Sequence, residues 1–201
     1  MVGAAVVMVL AAWAAIREPA ATITPHGAVT LALPAELIRS AAVREQLTSG
    51  LTTVFIVTAS ASDGSHDANG AIRVSIRLEL WEERYLVQVT DAIGQQRSLT
   101  FASDADLAKW WSGDSFVVLT PHAFPRGVEV NIRLRMLPFS AQEEADTRRW
   151  LSRTLSSAPQ GSSDSSERSA TILRALVETS IRRRPLLDLR WKVRATREGT
   201  P

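Results

Sequence analysis

Ser115, with Asp114 beside it, and the polar stretch that holds Asp63, His66 and Asp67 are the residues of this chain best suited to chemistry. A serine becomes a nucleophile when an imidazole takes its proton and a carboxylate orients that imidazole. Carboxylate oxygens and imidazole nitrogens also bind zinc or manganese, so the 63–67 stretch is a conceivable metal site. Asp, Gly, Ser, His and Asn are equally what a solvent-exposed loop contains. The histidines are His26, His66 and His122, and no H-x-x-x-H pair or EF-hand loop occurs. No G-x-x-x-x-G-K phosphate loop is present either, and no G-x-G-x-x-G follows a strand, so nucleotide chemistry is not expected. The paired acids Glu82-Glu83 and Glu143-Glu144 fall in a hairpin turn and in a helix first turn, where acids offset the macrodipole.

Gly113-Asp114-Ser115-Phe116 resembles the serine block of the GDSL hydrolases. In that family the block follows a strand and opens a helix, and an Asp-x-x-His pair comes late in the chain. Here it follows a predicted helix and precedes a predicted strand. The one Asp-x-x-His match, Asp63 to His66, comes before the serine. The local sequence is explained by a helix ending at Gly113, with Asp114 and Ser115 in the turn.

Aromatic and basic residues coincide twice, at Trp81, Arg84 and Tyr85 and again at Arg190, Trp191, Lys192 and Arg194. Rings flanked by arginines can stack on ligands, and exposed cations attract acidic ones, so Trp81, Arg84, Tyr85, Arg190, Lys192 and Arg194 are the candidate binding residues. From Arg168 to Arg197 the chain is locally basic, with only Glu178 and Asp188 as acids. Such a segment suits an acidic lipid, a polysaccharide surface or an acidic protein partner.

These residues must be held by elements that the periodicity outlines. Ala28 to Leu33 predicts a short strand, and Pro34 opens a helix that runs to about Ser49 and stops at Gly50. Leu51 to Ala61 predicts a central strand, followed by a polar loop from Ser62 to Gly70. Ala71 to Trp81 alternates strictly, with Ile72, Val74, Ile76, Leu78 and Leu80 on one face and Arg73, Ser75, Arg77, Glu79 and Trp81 on the other. With Arg84 to Asp91 and Gln95 to Ala102 it predicts an antiparallel meander.

Ser103 and Asp106 open a short helix carrying Leu107, Trp110 and Trp111. Strands are then expected over Phe116 to Thr120 and Gly127 to Leu137. A helix from Ser140 to about Leu155, a flexible Ser-rich loop at 156–169 and an amphipathic helix from Ala170 to Arg184 follow. The last strand places Leu187, Leu189, Trp191, Val193 and Ala195 on one face. The fold class is therefore α+β, a largely antiparallel β-sheet or sandwich with peripheral amphipathic helices.

A chain of 201 residues with 45% hydrophobic and 22% charged residues can bury one main core. With no cysteine, disulfides, thiolate metal sites, thiol nucleophiles and cysteine lipidation are excluded. Gly3 to Ile16 is uncharged, and Ala12-Trp13-Ala14 fits a signal-peptidase site. Residues 1–16 are accordingly expected to be a signal peptide or N-terminal anchor, 17–27 a connector and 28–197 a single domain.

The expectation is an exported protein, periplasmic or anchored to the inner membrane, non-enzymatic, with no cofactor. It would act through an envelope protein partner or a surface, and nucleic acid is not an expected ligand. An exported serine or metal-dependent hydrolase is one alternative. A binding module for an apolar ligand is another.

Overall fold

The computed structural model describes residues 16–64, 67–121, 124, 127–139 and 185–197. Within these, nine strands form one sheet: β1 (Ala20–Ile23), β2 (Val29–Ala32), β3 (Thr52–Ser62), β4 (Asp67–Glu79), β5 (Arg84–Thr90), β6 (Gln96–Phe101), β7 (Phe116–Leu119), β8 (Val128–Phe139) and β9 (Leu187–Arg197). Their order across the sheet is β6-β5-β4-β3-β8-β9-β1-β2-β7. Every neighbouring pair is antiparallel except β1 with β9, where Thr22 stands beside Thr196. Three helices complete the described fold, α1 (Ala35–Arg39), α2 (Ala41–Thr48) and α3 (Asp104–Gly113). The class is α+β, mostly antiparallel sheet with a few helices.

The sheet curls until its end strand β7 meets β4. Gly70 makes that approach possible, because a Cβ there would overlap the Val118 carbonyl. The Ala92 amide donates to the Val117 carbonyl at 3.3 Å, and Arg97 on β6 pairs with Asp114 just before β7 at 2.8 Å. The helices fill the concave side. Trp111 on α3 is fully buried, its ring 5.0 Å from Phe55 on β3 and 5.8 Å from Phe116 on β7. Leu37, Val43, Leu47 and Leu107 join the same core as Phe55, Val57, Ile72, Val74 and Ile76. The space between sheet and helices is thus occupied by aromatic and branched side chains.

The strands at Ala28, Leu51, Arg84, Gln95, Phe116, Gly127 and Leu187 form within a few residues of the expected bounds. The Ser103 cap also forms, its hydroxyl accepting the Asp106 amide at 3.1 Å. Asp114, rather than Gly113, takes the other end of α3, and its amide donates to the Trp110 carbonyl.

Four features differ from the sequence reading. Residues 20–23, expected in a connector, form β1 between β2 and β9, because strand neighbours can recruit a segment whose own pattern is weak. The helix expected from Pro34 to Ser49 is broken at Ser40, which is extended (ψ 143°) and donates its hydroxyl to the Leu37 carbonyl at 2.8 Å. β4 begins at Asp67, inside the expected loop, since pairing with β3 continues to Ser62 and Asp67. The face of β4 expected in solvent carries buried Arg73 and Ser75, beside a second apolar cluster of Val54, Ile56 and Leu137. The helix expected from Ser140, the Ser-rich loop and the helix from Ala170 lie outside the described residues.

Candidate functional site

Four strands build a polar depression on the convex face. Register places Asn69, Ser60, Asn131 and Lys192 in one row across β4, β3, β8 and β9. The next row is Ala71, Thr58, Arg133 and Arg190, and the one after it Arg73, Ile56, Arg135 and Asp188. Side chains on one face of adjacent strands lie close enough to act together, and the small Ala71 leaves room among longer neighbours. The result is an open groove of about 640 Å³ lined by hydroxyls, carboxamides and cations.

One carboxylate organises the cations. Asp188 accepts from Arg133 through both of its oxygens, Oδ1 from Nε at 2.9 Å and Oδ2 from Nη2 at 2.5 Å, and Arg190 Nε lies 3.9 Å from Oδ1. This fork geometry is the one guanidinium and carboxylate prefer. The Arg133 hydrogen bond holds the Asp188 carboxyl below its ordinary range, and the same bond raises the Arg133 guanidinium. Arg135 is only 9% exposed, and among the described residues no carboxylate pairs with it. Burial first, and then the neighbouring Arg133 charge, lower its guanidinium. Lys192 is engaged by Glu129 at 2.7 Å, and Arg194 stands opposite Glu129 beyond the groove.

The sequence-selected residues separate into three places. Arg190 and Lys192 line the groove, with Arg194 just past it. Trp81 is 97% exposed in the β4–β5 turn, and Arg84 opens β5 paired with Glu82 at 3.0 Å. Tyr85 is 5% exposed, and its hydroxyl donates to Asp104, which also pairs with Arg44 at 3.7 Å. Burial and that hydrogen bond push the Tyr85 pKa up to about 12. Tyr85 therefore braces β5 against α2 and α3, beside a smaller depression lined by Ile38, Arg39, Leu47 and Leu107. β4, β3 and β8 stand between this group and β9.

Arg133, Arg135, Asn131, Thr58, Ser60 and Asn69 were not singled out by sequence. Alternation does put Asn131, Arg133 and Arg135 on the outer face of β8, which was the available signal. Their convergence with β9 depends on strand order. Ser115 follows the α3 cap, and its amide donates to Asp114 Oδ1 at 3.1 Å, while Asp114 Oδ2 is held by Arg97. His66 and His122 lie outside the described residues. Among the described residues no group of three or more His, Asp or Glu side chains is placed to hold a metal.

Compared with family models, with curated proteins and with solved structures, the chain matches none of them.

Proposed function

We propose that this is an exported, non-enzymatic envelope protein that works by binding, and that the β4-β3-β8-β9 groove takes an acidic, extended segment of a partner protein. The observation that carries the reading is that Arg133, Arg135 and Arg190 stand around Asp188, the one carboxylate that meets them among the described residues. Arg135 is nearly buried beside the Arg133 charge, and among the described residues only the shared Asp188 carboxylate offsets it, so a second acid is favourable there. Thr58, Ser60, Asn69 and Asn131 supply the neutral donors and acceptors that an extended backbone needs. The open shape of the groove suits a chain lying across the strands. The uncharged run from Gly3 to Ile16 supports export.

A fluorescein-labelled oligoglutamate peptide serves as the probe, read by anisotropy. Binding is expected to weaken as salt is raised, and about tenfold or more in an Arg133→Gln/Arg190→Gln double variant. An Arg84→Gln variant is expected to bind as the parent does. No binding at low salt, or equal losses in both variants, defeats the reading.

A further inference from the structure

Among the described residues, large exposed apolar side chains are concentrated at one end. β3 starts, β4 ends, β5 starts, β8 ends and β9 starts at the same end of the sheet, because these strands alternate in direction. Among the described residues the exposed large hydrophobics are Leu51, Leu80, Trp81, Ile93 and Leu186. All but Ile93 lie just beyond those strand ends. Leu80 rests on the backbone before Leu51, since a Cβ on Gly50 would come within 3.2 Å of its Cδ1. Leu51, Leu80 and Trp81 thus form a ridge. Chance scatter of surface hydrophobics needs no explanation, whereas a ridge led by a fully exposed tryptophan does.

Two runs of the sequence adjoin described residues on this side of the molecule. The uncharged run Gly3 to Ile16 finishes at Arg17, whose guanidinium pairs with Glu36 on α1 at 3.9 Å. Ile38 and Arg39 of α1 line one depression with Tyr85, and Tyr85 stands opposite Leu78, two residues before Leu80. The basic run Arg182 to Arg184 finishes at Pro185, next to Leu186. An apolar run and a basic run are the two sequence signals that bring a protein to lipid. In sequence they adjoin Arg17, which pairs with α1, and Leu186, one of the exposed residues at the strand ends.

We infer that this end of the sheet lies on a phospholipid bilayer, with Leu80 and Trp81 at the depth of the lipid headgroups. An indole suits that depth because its ring is apolar and its N–H can still find an acceptor. Glu82 and Glu83 beside Trp81 limit penetration, since carboxylates stay in the hydrated layer. Arg39 is exposed near the ridge and can meet phosphates, as can the guanidinium nitrogens of Arg84 that its pairing with Glu82 leaves in solvent. The surface is separate from the groove, and loss of either reading leaves the other standing.

The chain lacks cysteine, so one introduced cysteine gives one label. Full-length Trp81→Cys and Ser62→Cys, each carrying a nitrobenzoxadiazole dye, would be mixed with phosphatidylcholine/phosphatidylglycerol vesicles containing doxyl-labelled lipid. Ser62 ends β3 at the opposite end and is exposed. The dye at 81 is expected to shift to the blue and to be quenched severalfold more than the dye at 62.

No shift and no quenching at 81 overturn the inference, and so does equal quenching at both sites. A ridge covered by a protein partner instead would leave the dye at 81 untouched by lipid. A Leu80→Asp/Trp81→Asp variant gives a second reading. It is expected to co-sediment with vesicles severalfold less while binding oligoglutamate as before; unchanged sedimentation counts against the inference.

Discussion

Asp188 is the residue on which the groove's electrostatics turn. Its carboxyl is held below the ordinary value of 3.8 mainly by the Arg133 hydrogen bond. A depressed acid stabilises the fold above its unfolded pKa, and that contribution is lost as pH falls through the folded value. Asp188→Asn is therefore expected to cost on the order of 1 kcal/mol near neutral pH, a partly exposed but bidentate pair being worth about that much. The cost should vanish well below pH 3.8. Urea unfolding of both proteins at the two pH values measures it, and a pH-independent difference would argue against the ion pair. Tyr85 shows the opposite case, a binding candidate by sequence that is a buried strut by structure. Only its neighbours Arg44 and Asp104, distant along the chain, make the difference.

At the scale of elements, short local signals act where the chain has no competing partner. Ser103 caps α3 in the way its spacing to Asp106 implies, and the helix then delivers Trp110 and Trp111 to the core. Ser103→Ala is expected to lower stability by about 1 kcal/mol without changing the fold, as measured by thermal unfolding. Ser40 shows a limit of the same logic. Pro34 and Gly50 bracket one helix by pattern, yet the hydroxyl of Ser40 bonds back to Leu37 and divides it into α1 and α2. β4 and β3 show another, because their pairing extends through residues that composition marks as loop.

At the scale of the molecule, β1 joins two halves of the sheet. It lies between β9 and β2, so without it β2 and β7 lose their ladder to β9 and are left with the contact of β7 on β4. A chain beginning at Val29 is expected to lose cooperative unfolding, whereas one beginning at Ile16 keeps it. Denaturation followed by tryptophan fluorescence distinguishes the two, and an unchanged transition in the shorter chain would show β1 to be dispensable. Sheet order also makes the groove. β8 and β9 carry their outward cations wherever they are placed, but only the order β4-β3-β8-β9 sets Thr58 and Ser60 beside Arg133 and Arg190.

The sequence by itself determined the α+β class, most strand and helix positions, the inward faces of β8 and β9, and the cationic character of Arg190, Lys192 and Arg194. These follow from alternation and from capping, which act over a few residues. Tertiary structure alone decided the curl at Gly70, the strand at residues 20–23, the burial of Tyr85 and Arg135, the exposure of Trp81 and the gathering of three arginines around Asp188. Each of these depends on which distant segments become neighbours. Strand pairing and close packing select those neighbours through long-range contacts, and a local pattern does not record them.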